Sequence, residues 1–230
     1  MTTQEFSIEF DILYNNLASN AAPPLNEYEK SVFLTKAQSD IVIELYSGRN
    51  NLGLAIDSSE EAREYLSSLE TNDTETVMYD EETNTWTVDC PSNIWYITRE
   101  EFAGIEVTPC TQDEYSKIKN NPFRGPKTGK RIIRIGKLLL HNENIPLPID
   151  EEGTAPKYIY YGIKKPDPIV LPGIDDNSLT IDGENISGML VDGEEPISIH
   201  PALHRMILDR AVLYAKQAYV GGQAQRAQQE

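Results

Sequence analysis

The sequence contains little cysteine and no long hydrophobic run. Only two of its 230 residues are cysteines, Cys90 and Cys110. Two are too few for the disulfide framework of a secreted protein, so we expect both thiols to be reduced. No apolar run approaches the roughly 20 residues that cross a bilayer, and the first five residues are polar and acidic, unlike a signal peptide. These absences predict a protein made in a cytoplasm, with no membrane partner.

Positive charge is also scarce. The chain has 20 Lys and Arg residues against 37 Asp and Glu residues, which gives a net charge of −17. Such acidity argues against non-specific binding to nucleic acid or anionic membrane, because both are polyanions. A hydrophobic content of 39% and a charged content of 25% are ordinary for a soluble globular protein, and the length allows one large or two small domains.

Motifs for catalysis or metal binding are missing. Residues 125–130 resemble a phosphate-binding loop, but three rather than four residues separate the glycines and Arg131 follows the lysine. His200 and His204 have the i, i+4 spacing of metal ligands, but a proline follows the first and no third ligand is apparent. Ordinary hydrogen bonds at a helix start are the simpler interpretation. We therefore expect no enzyme activity, no cofactor and no metal.

One long helix is predicted over residues 25–46 and organises the rest of the chain. Asn26 is a suitable N-cap, Glu29 completes a capping box, and Gly48 supplies the left-handed residue that ends a helix. Its apolar residues occupy two nearly opposite faces. We expect the subunit itself to cover one face and a neighbouring copy to cover the other, and a core helix of a monomer is the alternative. The candidate interface residues are Tyr28, Val32, Leu34, Ile41 and Leu45.

Helical patterns at both ends of the chain flank a β-rich middle. Further capping boxes start helices at residues 2–5, 58–61 and 111–114, a polar turn follows at 71–73, and the last helix is expected to end at Gly221 and Gly222. Strand patterns fall at 76–79, 85–88, 93–98, 131–135, 137–140, 157–161 and 169–171. We predict an α+β fold, with a helical part (1–70, completed by 198–230) and an inserted β-rich module (71–197) of sandwich or barrel type.

A cluster of basic residues interrupts the acidic sequence. It could be a solvated hairpin edge, a loop that docks on an acidic partner such as another copy of the chain, or a contact to DNA phosphates. No groove-reading motif accompanies it. The candidate docking residues are Arg124, Lys127, Lys130, Arg131 and Arg134, and Lys137 extends the cluster with no acid between its members.

Four segments resemble the neck or ring proteins of short-tailed bacteriophages of the crAss-like group: residues 10–16, 25–38, 121–126 and 201–212. The resemblance implies a head–tail connector, a virion protein assembled in the host cytoplasm. It further implies a closed ring of about twelve copies. Such a ring would bind beneath the portal protein, meet adjacent neck or tail proteins, and pass DNA through its lumen without specific binding. An acidic lumen suits that passage.

A different function remains open for the β-rich module. Trp86, Trp95 and Tyr96 could form a stacking platform of a monomeric accessory or carbohydrate-binding module of the virion. Alternatively, these aromatic side chains belong to the hydrophobic core.

Overall fold

The structure is a computed structural model that describes residues 1–17, 23–49, 53–80, 85–89, 92–125, 132–140, 156–174, 179–186 and 197–227. The chain divides into two compact units. Residues 1–69 and 166–230 form what we call the helical unit, and residues 70–165 form the sheet unit. The sheet unit thus ends at Lys165, whereas the sequence placed the end of the inserted module at residue 197. The reason is that residues 167–171 bind a helix of the helical unit.

The described residues contain helices and a large mixed sheet, which confirms the α+β class. The helices are α1 (Thr3–Leu17), α2 (Glu27–Ser47), α3 (Glu60–Leu66), α4 (Gln112–Ile118) and α5 (His204–Ala227). The strands are β1 (Glu70–Glu75), β2 (Val77–Asp80), β3 (Thr85–Val88), β4 (Ile94–Phe102), β5 (Ile105–Pro109), β6 (Ile132–Ile135), β7 (Leu138–Leu140), β8 (Tyr158–Lys164), β9 (Thr180–Ile181) and β10 (Glu184–Asn185).

Side-chain caps fix where the helices begin. At the start of α2, Asn26 Oδ1 accepts from the Glu29 N–H at 2.8 Å and Glu29 Oε2 accepts from the Asn26 N–H at 2.9 Å. Gly48 ends this helix with φ 70°. Reciprocal capping boxes also join Thr2 to Glu5 and Thr111 to Glu114. These predicted caps are confirmed, and they are local because each box spans only four residues.

The predicted end of α5 at its two glycines is wrong, since the helix continues through them to Ala227. A glycine inside a helix costs about 1 kcal/mol relative to alanine, which weakens a helix without ending it.

The core of the helical unit lies between α1, α2 and α5. In the sequence of α1, Phe6, Phe10 and Tyr14 follow each other at the i, i+4, i+8 spacing of one helix face, and this apolar stripe is buried, with Phe6 and Phe10 at 0% exposure. It packs with α5, whose Ile207 and Leu208 are equally buried, and α5 also packs along α2. The stripe at period 3.6 therefore identified the buried face of α1 correctly.

Side chains of α2 hold the extended segment that follows β8. Three polar residues, spaced i, i+4 and i+7, bond to the backbone of every second residue of the segment. The first spacing matches because four helical residues rise about 6 Å, close to the roughly 6.6 Å of two extended residues, and the longer side chain at i+7 spans the difference at the second. The bonds, 2.9–3.0 Å long, join Leu171 N–H to Ser31 Oγ, Ile169 N–H to Thr35 Oγ1, and Gln38 Nε2–H to the Asp167 carbonyl.

Residues 169–171 are therefore not the strand that the sequence predicted. They are extended, but they bond to helix side chains instead of to a neighbouring strand. Pro166 and Pro168 lack the N–H groups that a central strand needs, which explains why the apolar run does not enter the sheet.

We predict that Ser31→Ala lowers the stability of the helical unit. The change leaves the buried Leu171 N–H without its acceptor, a loss of about 1–3 kcal/mol. Ser39→Ala is the matched control, because it removes a hydroxyl from the same helix and is expected to stay within about 0.5 kcal/mol of the parent. Urea unfolding followed by helical circular dichroism measures both, and equal midpoints for the two variants would contradict the prediction.

The sheet unit is built on eight strands in the order β1-β8-β4-β5-β6-β7-β3-β2. Neighbours are antiparallel except β5 and β6, which are parallel. The strands predicted at 76–79, 85–88, 93–98, 131–135, 137–140 and 157–161 correspond to β2, β3, β4, β6, β7 and β8. The polar turn expected at 71–73 is wrong, because these residues belong to β1, an edge strand whose largely exposed side chains can be polar.

This sheet curls into a barrel-like form. Its two edge strands, β1 and β2, are joined by Thr76 alone, so the edges must meet. The ring centroids of Trp86 on β3 and Phe102 on β4 lie 5.6 Å apart. These strands are four positions apart, which in a flat sheet would be about 19 Å. Register shifts in β4 contribute to the bending, since bulges increase local twist.

A buried ion pair crosses the interior of the sheet unit. Glu100 on β4 is 3% exposed, and both of its oxygens accept from Arg134 on β6 at 2.6 Å. The Tyr158 hydroxyl on β8 donates to the same carboxylate at 2.8 Å. Three strands thus share one carboxylate, which satisfies a charge that would otherwise be buried alone.

We predict that Glu100→Gln strongly destabilises the sheet unit. Removing one member of a buried pair leaves the Arg134 charge uncompensated, which costs about 3–5 kcal/mol. Asp89→Asn is the control, because the Asp89–Lys137 pair is exposed and worth at most about 1 kcal/mol. Both tryptophans lie in the sheet unit, so their fluorescence during urea unfolding reports on it. Similar losses in the two variants would show that the buried pair has no special weight.

Candidate assembly surfaces

The interface residues proposed on α2 are core residues of the chain itself. Leu34, Ile41 and Leu45 are each no more than 1% exposed. They lie on a helix that packs along α5, so no part of these side chains is left for another subunit. The structure therefore corrects their assignment to a subunit interface.

The second face of α2 is also covered by its own chain. Tyr28 and Val32 pack against a cluster formed by Val170, Ile174, Ile181 and Ile186. The Tyr28 hydroxyl donates to the Thr180 carbonyl at 3.0 Å. The turn between β9 and β10 has positive φ at both Asp182 and Gly183, as a tight hairpin requires. Two faces of α2 do need cover, and this hairpin and the segment before it cover the second face at Tyr28 and Val32, whereas Ile43 on the same face is 40% exposed.

The five docking candidates separate in the structure. Arg124 is exposed, and no acidic side chain among the described residues lies within ion-pair distance of it. Lys127, Lys130 and Arg131 lie outside the described residues. Arg134 is corrected: its guanidinium is held by Glu100 and also donates to the Gly136 carbonyl at 2.9 Å, so it is a structural group of the sheet unit.

Basic charge is concentrated more strongly than the predicted cluster suggests. Residues 115–142 hold eight of the 20 Lys and Arg residues and no Asp or Glu, so all 37 acids lie elsewhere. Lys117 and Lys119 begin this basic segment, and they were missed because they lie within a helical pattern. The chain thus carries one basic region on an otherwise acidic protein.

A tight turn at residues 121–125, within this basic segment, holds Phe123 and Arg124. Asn121 Oδ1 accepts from the N–H groups of Phe123 at 2.8 Å and Arg124 at 3.2 Å, and the Gly125 N–H donates to the Asn121 carbonyl at 2.8 Å. A Cβ on Gly125 would lie 2.9 Å from three backbone carbonyl oxygens, those of Ile118, Lys119 and Asn121, so only glycine fits. The turn is therefore fixed by its own bonds.

Beside this turn, α4, β5 and β6 enclose a groove of about 610 Å³. Lys117 and Arg124 line it, together with Cys110 and Glu114. The backbone N–H of Thr111 lowers the pKa of Glu114, which keeps this capping carboxylate charged. One acid and two bases give the groove a net positive charge.

Three of the exposed large apolar side chains lie in the turn at residues 121–125 and on α1. Phe123 is 83% exposed, and Ile8 and Ile12 on α1 are 50% and 53% exposed. The sequence did contain a signal for the isoleucines, since they lie one turn apart and off the buried stripe of α1. No pattern marked Phe123, because a single aromatic residue in a turn has no period.

The aromatic platform of the alternative function does not form around Trp86. Its ring packs against the buried cluster of the sheet unit and contacts the rings of Tyr79, at 4.9 Å, and Phe102. Trp95 and Tyr96 are half-buried and meet edge to face, 6.4 Å apart. Trp86 is therefore half-buried against the core, which leaves less of its ring for a stacking platform.

The two histidines at the start of α5 make ordinary hydrogen bonds. His200 Nδ1 accepts from the Ala202 N–H at 3.3 Å. His204 is buried, with Nε2 3.0 Å from the Ile199 carbonyl and Nδ1 3.0 Å from the amino group of Met1. Within the described ranges, no three His, Cys, Asp or Glu side chains converge as metal ligands. None of the helices described is both long enough and apolar enough to cross a membrane.

We predict that the helical unit loses stability in mild acid through His204. Burial lowers the pKa of His204 below 6.5, opposed in part by the bond to Ile199. The unfolded chain therefore binds the proton more readily, so this contribution is complete above about pH 6.5 and is lost as the pH falls below it. The melting temperature by circular dichroism should fall more steeply between about pH 7 and 5 for the parent than for His204→Gln. Parallel pH profiles would refute the assignment.

Comparison with known proteins agrees with the resemblance seen in the sequence. The family model described as "Phage tail ring protein 3/4" matches residues 1–227. "Ring protein 3" of Bacteroides phage crAss001 is 35% identical over 232 residues, which cover 94% of this chain and 95% of that protein. "Ring protein 4/5" of the same phage is 32% identical over 235 residues, which cover 96% and 94%. The resemblance to ring proteins of crAss-like phages is confirmed, and the chain belongs to the phage tail ring protein 3/4 family.

Proposed function

We propose that this chain forms a closed ring in the neck of a short-tailed phage particle, where it docks beneath the portal protein and extends the DNA channel towards the tail. The observation that carries the proposal is the family match across residues 1–227, which includes both units of the chain. Relatives aligned over nearly their whole length are named ring proteins, and this supports a structural role in a ring.

The proposed ring contains about twelve copies and assembles in the host cytoplasm from identical subunits. Each subunit meets two neighbours through different surfaces, because a ring closes only when one surface binds another, non-identical surface of the next copy. The portal protein binds one end of the ring, and adjacent neck or tail proteins bind the other.

The charge of the chain suits this channel. All Asp and Glu residues lie outside residues 115–142, so most of the surface repels nucleic acid. DNA would pass an acidic lumen without binding it, and the basic segment would be used in contacts between proteins. Arg124, Lys127, Lys130 and Arg131 form the proposed docking loop for an acidic surface.

We further propose that the ring has no catalytic activity and needs no cofactor. The relatives' names describe a structural component. The histidines nearest to a catalytic spacing are occupied by hydrogen bonds at a helix start.

The proposal is tested by mixing the purified protein with the portal protein of the same phage. Electron microscopy should show a ring coaxial with the portal, and native mass spectrometry should give about twelve copies. The triple change Arg124→Glu, Lys127→Glu and Lys130→Glu should abolish this assembly while leaving the circular dichroism unchanged, because exposed charges contribute little to folding.

A triple change elsewhere provides the control. Arg49→Glu, Arg63→Glu and Lys216→Glu alter the net charge by the same amount but lie outside the basic segment. This variant should assemble as the parent does. A parent that does not bind the portal would refute the neck position, and normal rings from the basic-segment variant would refute the docking loop.

A further inference from the structure

Phe123 has the features of a binding anchor. At 83% exposure it is the most exposed large apolar side chain among those described. Asn121 already fixes the backbone at positions 123 and 124, so little freedom is lost when the ring is buried by a partner. Aromatic and arginine side chains dominate the energetics of protein interfaces. We call Phe123 and the neighbouring Arg124 the knob.

A complementary surface exists on α1 of the same chain. Ile8 and Ile12 lie one turn apart on the side of α1 opposite its buried residues, with Cβ atoms about 5–6 Å apart on such a helix. Glu5 lies in line with them at i−3 and i−7. Its Oε2 accepts from the Thr2 N–H, which leaves Oε1 for a cation. We call these three residues the α1 stripe.

The charges around other exposed aliphatic residues fit the knob less well. Ile43 on α2 has Asp40 at i−3 and Lys36 at i−7, and the Asp40 carboxylate already accepts from the Tyr214 hydroxyl. Leu213 on α5 lies between Arg210 and Lys216, and Asp209 at i−4 already pairs with Arg205. The α1 stripe instead combines two exposed isoleucines with a carboxylate that has one oxygen left for Arg124.

We propose that the knob of one copy binds the α1 stripe of the next copy in the ring. The Phe123 ring covers Ile8 and Ile12, and Arg124 pairs with Glu5. The contact joins two different surfaces, so it can repeat from copy to copy and close by rotation. This inference rests on the ring assembly proposed above and names the subunit contact that makes it.

Cross-linking between two single-cysteine variants tests the contact. In a chain whose Cys90 and Cys110 are replaced by serine, Phe123→Cys is made in one sample and Ile12→Cys in another. The two are mixed and treated with a short bis-maleimide. A product of twice the 25.9 kDa chain mass is expected. Leu213→Cys replaces Ile12→Cys in the control mixture, because the two side chains are 50% and 53% exposed.

A chain that carries both Phe123→Cys and Ile12→Cys sharpens the result. A repeating contact between different surfaces should give a ladder of cross-linked multimers, whereas a contact between like surfaces would stop at dimers. Equal yields from the Ile12→Cys and Leu213→Cys mixtures would overturn the inference.

Two changes then separate the charge from the apolar contact. Glu5→Gln keeps a residue that can complete the capping box but removes the charge. The Glu5→Gln variant should self-associate more weakly in native mass spectrometry, and its self-association should depend less on salt than that of the parent. Phe123→Ser should abolish self-association, and Leu213→Ser should leave it unchanged.

The outcome can be distinguished from that of the neck-ring proposal. If Phe123→Ser still forms rings on the portal, this contact is wrong and the neck position stands. If the cysteines at 123 and 12 cross-link but the parent protein never binds the portal, the contact stands and the neck position is wrong.

Discussion

The helical unit depends on the hydrogen bonds between one row of α2 side chains and the segment after β8. The backbone of residues 167–171 is buried or flanked by proline and has no neighbouring strand. It makes its hydrogen bonds instead with the side chains of Ser31, Thr35 and Gln38. Without these partners, buried N–H and carbonyl groups would be left unsatisfied. The same bonds position the chain that continues to Ile174 and to the β9–β10 hairpin. That hairpin covers Tyr28 and Val32, so the chain itself covers the second face of α2 near its start, whereas Ile43 further along is 40% exposed.

In the sheet unit, closure of the sheet imposes the corresponding constraint. A single residue, Thr76, joins the two edge strands, so the sheet must bend until its two edges come together. The curled sheet encloses Glu100, and a carboxylate in that position requires the two donors of Arg134 and the hydroxyl of Tyr158. Closure of the sheet therefore explains why Arg134, although it belongs to the basic segment, bonds to Glu100 inside the sheet unit.

The sequence predicted the features that depend on neighbours along the chain. Capping boxes at Thr2, Asn26 and Thr111 and the buried stripe of α1 were correct because each is decided within a few residues. Prediction failed where a distant segment decides the outcome. Residues 169–171 were predicted as a strand, but they bond to side chains of a helix. Arg134 was predicted to dock on a partner, but it bonds to Glu100, which lies 34 residues earlier in the chain.

The candidate surfaces were predicted less well, for a related physical reason. A hydrophobic pattern on α2 shows that two faces need cover, but it does not show whether the cover lies in the same chain. Exposure of Phe123 can be recognised only from the structure, whereas Ile8 and Ile12 lie off the apolar stripe of α1 in the sequence. Arg124 was identified correctly as an exposed cation because its neighbours in sequence contain no acid.

Segregation of charge also bears on the symmetry of assembly. In a two-fold dimer centred on residues 115–142, this segment, with eight basic residues and no acid, would face an identical basic segment. That arrangement brings like charges together and is costly. When the basic segment instead meets an acidic surface of the next copy, the first copy keeps an unused acidic surface and the second an unused basic segment. The same contact can therefore repeat from copy to copy, and it closes when the rotation between copies completes a ring.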